Sequence, residues 1–216
     1  APLRLTAELG ADVSLPRSFV DAVSLSPDGT VLAFVAQERG GDRPQIYVRR
    51  LTELQAKSLS GTDGASSPFF SLDGEWIGFF AAGKLKKISV TGGAVVTLCD
   101  ATTGRGGAWS DDGTIVFQPQ PRDAPLMRVS SAGGTPEPLS SLADGEVLQS
   151  WPQVLPGGKA ILFTSVSPVG ELDNANLVVE APLTGARTVV HRGGYHGRYL
   201  PSGHLVYLYD GKIFAA

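Results

Sequence analysis

The stretch Ser24-Leu25-Ser26-Pro27-Asp28-Gly29-Thr30-Val31-Leu32-Ala33-Phe34-Val35 decides how this chain is read. An apolar residue leads into an Asp-Gly pair, and a short apolar run leads out. The glycine supplies the positive φ that a tight hairpin turn requires, so the stretch predicts two antiparallel strands joined by a turn. The same unit returns at Asp73-Gly74, Asp112-Gly113, Gly157-Gly158 and Ser202-Gly203. Shortly after each turn comes an aromatic residue: Phe34, Phe79, Phe117, Phe163 and Tyr207. Before each turn stands a large apolar residue: Leu25, Phe70, Trp109, Val154 and Tyr199. Phe70 and Trp109 in that column are expected to pack between units.

Each unit continues into a second apolar run, starting at Ile46, Leu85, Leu126, Leu177 and Ile213. Four units end in a further extended piece, at Ala56–Leu59, Ala94–Leu98, Pro136–Leu139 and Ala186–Val190. No window keeps a 3.6-residue apolar period over helical length, and Gly or Pro interrupts nearly every dozen residues. A four-stranded unit of about 40–45 residues is the pattern of a β-propeller blade. The fold class expected is therefore all-β, a single propeller of about five blades with units near 16–60, 61–102, 103–143, 144–192 and 193–216. Blades stack face to face, and the last must meet the first. The segment Leu3–Leu9 is expected to complete the short last blade as its outer strand. An arc of a larger propeller is the alternative, and it leaves an exposed edge at Ile213-Phe214.

Composition narrows the function classes. The 216 residues carry 18 Lys and Arg against 21 Asp and Glu, a net charge of -3. A nucleic-acid partner is not expected of an acidic chain. The single cysteine, Cys99, permits neither an internal disulfide framework nor a cysteine-built zinc site. No apolar run approaches the roughly 18 residues that span a bilayer as a helix. Neither Gly-x-Ser-x-Gly nor His-Glu-x-x-His is present, and His191, His196 and His204 show no metal-ligand spacing. No cofactor and no metal are expected, and the segment is expected to be a monomer. Asp28, Asp73 and Asp112 are expected to bond their own turns.

The run Ser26-Pro27-Asp28-Gly29, with Phe70-Ser71-Leu72-Asp73-Gly74-Glu75-Trp76-Ile77, resembles the TolB-like, WD-type propeller repeat. The second unit has Leu72 in place of Pro, and the fourth and fifth lack the Asp. Further segments, among them Gly61-Thr62-Asp63-Gly64-Ala65, Gly83-Lys84-Leu85-Lys86-Lys87 and Trp151-Pro152-Gln153-Val154-Leu155-Pro156-Gly157-Gly158, are similar to the propeller that follows the kinase domain and membrane helix of some bacterial serine/threonine kinases. That resemblance implies an extracytoplasmic or periplasmic sensor region and a protein or peptide partner. In such proteins the propeller usually runs on, which favours the arc. No Gly-rich nucleotide loop, His-Arg-Asp or Asp-Phe-Gly occurs in this chain.

Binding groups on a propeller sit on loops around the central channel, carried by a rigid scaffold. The candidates are Arg17, Asp63, Arg105, Glu146, Trp151, His196 and Arg198, all near the start of an inner strand. Arg17, Arg105 and Arg198 recur at comparable places and would attract a carboxylate or an acidic peptide. Their alternative role is to bond carbonyls of a neighbouring blade. Trp151 either looks into the channel or packs. The expected function is non-catalytic protein or peptide recognition. The alternative is a hydrolase or lyase using Asp21, Glu146 or His196.

Overall fold

At Asp28-Gly29 the chain reverses as its composition dictates. The Gly29 N–H donates to Ser26 O over 2.9 Å, with Gly29 at φ 72°. Asp28 Oδ1 accepts from the Ser26 hydroxyl at 2.6 Å and from Thr30 N–H at 3.0 Å. Those bonds, from Ser26 first and then Thr30, hold the Asp28 carboxyl at about 2. Asp73 and Asp112 do the same for Glu75 N–H and Thr114 N–H, at 3.0 and 2.9 Å. The fourth and fifth turns, without an Asp, close through Gly158 N–H to Leu155 O and Gly203 N–H to Leu200 O. The aspartates therefore reinforce turns that the backbone already makes.

The computed structural model describes residues 9–16, 21–120, 122–168 and 171–216. They form five antiparallel sheets arranged as a five-bladed β-propeller. The first sheet holds β1 (Val13–Ser14), β2 (Val23–Leu25), β3 (Val31–Glu38), β4 (Gln45–Arg50) and β5 (Lys57–Ser58). The second holds β6 (Ser66–Phe70), β7 (Trp76–Ala81), β8 (Lys84–Ser89) and β9 (Val96–Asp100). The third holds β10 (Gly107–Trp109), β11 (Thr114–Phe117), β12 (Met127–Ser130) and β13 (Glu137–Pro138). The fourth holds β14 (Leu148–Val154), β15 (Ile161–Val166), β16 (Asn176–Ala181) and β17 (Ala186–Arg192). The fifth holds β18 (Tyr195–Tyr199), β19 (Leu205–Tyr209) and β20 (Lys212–Ala215). Helix among the described residues is limited to a single 3-10 turn at Leu172–Asn174.

Alternation along the second strand of each blade builds the core, because successive side chains point to opposite faces. Ile77 and Phe79 pack against Ala33, Val35 and Ile46 of the first sheet. Phe80, one residue on, joins Trp109, Ile115 and Phe117 of the third. Val116 turns the other way, towards Ile161 and Phe163 of the fourth. Phe70 and Trp109 sit in these inter-blade clusters, as their place in the repeat predicts. Their counterparts at the two ends of the series differ: Leu25 is 52% exposed and Tyr199 36%.

Leu9 packs with Ala11 and Val13 against Phe34, Ala36 and Tyr47. β1 pairs with β3 through Val13 and Glu38. The described part of the N-terminal segment thus lies on the first sheet, while the fifth has three strands among the described residues. Residues 3–8 of the expected closing strand lie outside the described residues. Cys99 is buried in β9, where burial and then the Asp100 charge, against that of Lys84, push its thiol up to about 11 and disfavour the thiolate.

Candidate functional site: an axial collar

The inner strands of blades two, four and five share a distortion near their starts. Their pairing with the second strand shifts register between Ser66 and Phe69, Ser150 and Gln153, and Tyr195 and Arg198. Within each bulge one residue takes left-handed backbone: Ser67 at φ 49°, Trp151 at 52° and His196 at 54°. In blade three the corresponding residue is Gly106, at φ 86°. A non-glycine residue in that region costs roughly 1 kcal/mol or more, so its recurrence signals a compensating arrangement.

The compensation is bonding between blades. Trp151 N–H donates to Arg105 O at 2.9 Å. His196 N–H donates to the Thr164 hydroxyl at 2.9 Å. Arg198 Nη1 donates to Trp151 O and to Gly197 O, both at 2.9 Å. The Ser67 hydroxyl reaches Gly104 O over a longer 3.5 Å. A Cβ on Gly106 would stand 3.0 Å from the Trp151 Cα, so the backbones of blades three and four meet closely here.

Side chains from this collar form one polar and aromatic group. The Trp151 indole is buried and stacks on the His196 ring, centroids 5.4 Å apart and 14° from parallel. The Tyr195 ring lies tilted against the indole, centroids 5.7 Å apart and 41° from parallel. Burial, helped by the Arg198 charge, pushes the His196 imidazole down to about 3, so it is neutral at physiological pH. Burial lowers the Arg198 guanidinium to about 10 while the Asp21 charge works the other way. Burial raises the Asp21 carboxyl, opposed in turn by the Ser67 hydroxyl, its own backbone N–H, the Arg198 charge and the Trp151 indole. Asp21 Oδ2 and Trp151 Nε1 are buried near each other, close enough for the indole to favour the carboxylate, yet they do not reach full hydrogen-bond geometry with each other or with another described group.

Of the candidates read from the sequence, Trp151, His196 and Arg198 come together here, with Arg105 present through its carbonyl. Asp63 lies elsewhere: it accepts from Gln45 Nε2 at 2.9 Å and lines a shallow cavity of about 360 Å³ with Glu38, Arg43 and Tyr47. Glu146 is built into the fold. Its Oε1 accepts from Arg187 Nη2 at 2.5 Å, and its Oε2 from Ala143 N–H and Gln149 Nε2, each at 2.9 Å. Arg17 lies outside the described residues. Ser67 was not singled out in the sequence. Its signal was positional, since Ser67, Gly106, Trp151 and His196 each stand the same distance before the turn glycine of their unit.

Chemically, the collar can stack and hydrogen-bond. Among the described residues no group of three His, Cys, Asp or Glu side chains is placed to hold a metal ion. Nor is any helix among them long and apolar enough to cross a membrane.

No known sequence family matches the chain, and no curated protein matches it either. Solved structures do. TolB from Acinetobacter baumannii superposes with a TM-score of 0.70 at 16% identity, over 90% of this chain and 53% of that one. A chain of the nidogen/laminin complex gives 0.69 at 14%, over 86% and 73%. Puromycin hydrolase gives 0.57 at 17%, over 86% and 32%. The chain thus spans about half the length of the TolB it resembles. At these identities the likeness is one of fold, shared by proteins of different activities.

Proposed function

We propose that this chain is a non-catalytic recognition propeller whose axial collar holds a segment of a protein or peptide partner. One observation carries the reading: Asp21 Oδ2 and Trp151 Nε1, a buried acceptor and a buried donor beside an aromatic platform, approach each other without closing a full hydrogen bond. A peptide group complements them, since it presents one N–H and one C=O. Arg198, already bonded to Trp151 O and Gly197 O, adds a positive charge that favours an acidic side chain beside that group. His196 is held neutral and stacked, an arrangement suited to packing against a ligand. The kinase-associated resemblance makes the sensor region of a bacterial receptor-type kinase the setting in which such a module would work, outside the cytoplasm. A propeller found in a nidogen/laminin complex supports protein recognition as a use of this fold.

The test is an array of defined peptides, acidic, neutral and basic, read against the folded chain. Asp21→Asn removes the charge and exchanges one acceptor oxygen for an amide donor, and Trp151→Phe removes the indole donor while keeping an aromatic ring. Either is expected to weaken capture of the best peptide by about tenfold, equivalent to one good buried hydrogen bond. Melting temperatures of both variants establish that the fold persists. Unchanged capture by both folded variants rejects the collar as the contact. Turnover of a glycoside or peptide substrate that disappears in His196→Ala would instead establish the hydrolase or lyase reading.

A further inference from the structure

A second concavity opens on the face that carries the hairpin turns. It is a cavity of about 370 Å³ to which all five blades contribute. Its rim is one position of the repeat, the residue after Ser26, Ser71, Ser110, Leu155 and Leu200. That position holds Pro27, Leu72, Asp111, Pro156 and Pro201, and all five line the cavity. Trp109, Val154 and Tyr199 form its walls. Gln153 seals the junction of blades four and five. Its Nε2 donates to Tyr199 O at 3.0 Å, and its Oε1 accepts from Tyr199 N–H at 2.7 Å. The amide is thereby used, and Asp111 remains as the charged group on an otherwise apolar rim.

The rim residues are exposed, Leu72 by 50%. Around them the same turns carry Asp28, Asp73, Glu75, Asp111 and Asp112 against Lys159 alone. This ring is more negative than the chain as a whole, which carries -3. Charges gathered at a concave mouth set the sign of what approaches it. The apolar pit needs an apolar occupant, because covering apolar surface is what stabilises contact there.

We propose that this pit is a second interaction surface, which takes an apolar side chain flanked by lysine or arginine from an extended segment of another protein. The three rim prolines, Pro27, Pro156 and Pro201, have fixed backbones and lose little freedom on contact, so the surface is preorganised for such a segment. This proposal is independent of the collar. Trp151 and the rim residue Pro156 are separated by five positions along and beyond β14, roughly 15 Å of extended chain.

The probe is a fluorescein-labelled peptide Lys-Leu-Phe-Lys-Gly, compared by anisotropy with Glu-Leu-Phe-Glu-Gly and with Lys-Ser-Ser-Lys-Gly. The first is expected to saturate below about 1 mM and to bind at least tenfold more tightly than either control, weakening as salt is added. Asp111→Lys and Leu72→Lys, both at exposed positions, are each expected to weaken it by about tenfold without moving the melting temperature. Asp21→Asn, in the collar, should leave it unchanged. No saturable binding, equal binding of the acidic peptide, or indifference to both rim variants would overturn the proposal. So would a dimer seen by light scattering that Leu72→Lys dissolves, because the pit would then be covered by a second copy of the chain.

Discussion

Replacing Arg187 by alanine is expected to lower the melting temperature by roughly 6–12 °C, for a cost of about 3 kcal/mol in a domain of this size. Arg187 comes from the outer strand β17 and reaches back over the face of blade four. Its Nη2 donates to Glu146 at 2.5 Å, its Nη1 lies 3.7 Å from Glu180 Oε2, and its guanidinium sits 5.1 Å over the Phe163 ring. The Glu146 side chain is 3% exposed, Glu180 10% and Arg187 22%. Removing the one cation leaves two nearly buried carboxylates without it, so the variant suffers their desolvation and mutual repulsion. That is why the expected loss is several times that of a surface ion pair.

The pH dependence follows from the same geometry. Burial acts to raise the Glu146 carboxyl, but the bonds from Arg187, Ser165, Ala143 N–H and Gln149 outweigh it and hold it below its ordinary 4.5. A group held low in the folded state adds stability above its unfolded value and loses it as pH falls through the folded one. Glu180 is the opposite case: burial raises its carboxyl, against the Arg187 charge and with the Glu146 charge, so it takes up its proton at higher pH. The gap between wild type and Arg187→Ala should therefore be widest at neutral pH and narrow as pH falls through the range in which first Glu180 and then Glu146 protonate. Arg187→Lys keeps the charge without the two-pronged fork, so it should fall between them. Thermal unfolding of the three proteins at pH 7 and pH 4 checks this. A gap of equal size at both values would mean that packing on Phe163, and not charge, holds the side chain there.

Glu146 also shows where a sequence stops being legible. Its neighbours in the chain gave no hint of a counter-charge, because Arg187 is 41 residues away, on β17. The hairpins, by contrast, were legible because turn chemistry and two-residue alternation are local. Phe34, Phe79, Phe117 and Phe163, found by their distance from the turn, are all buried to within 1%. Trp151, His196 and Arg198 could be placed at inner-strand starts for the same reason. Their left-handed bulges could not, since Ser67, Trp151 and His196 share no chemistry that demands a positive φ. The neighbouring blade imposes that conformation. The rim of the pit was visible all along as a repeat position, but it reads as turn punctuation until the blades are set around an axis.

Clearance between blades supplies the other large expected effect. The Phe69 ring lies between Gly78, its cross-strand partner in β7, and Gly107 of the next sheet. A Cβ on Gly78 would come within 2.3 Å of that ring, and one on Gly107 within 2.5 Å. Neither glycine has positive φ, so what each provides is room for the ring and not backbone freedom. Phe80 and Trp109, each with its ring centroid 6.3 Å away, prevent the phenyl group from stepping aside. Gly107→Ala is therefore expected to cost about 2–3 kcal/mol through overpacking. Phe69→Ala is expected to cost about 3–5 kcal/mol through lost burial and the cavity left behind. In the double variant the new methyl group meets empty space, so it should add almost nothing to the loss from Phe69→Ala alone. The expected coupling is about 2 kcal/mol in favour of the pair, measured as the shortfall from additivity in urea unfolding. Strict additivity would show that Gly107 is needed for some other reason. Coupling of that size would show that Gly107 is there to admit the Phe69 ring between blades two and three.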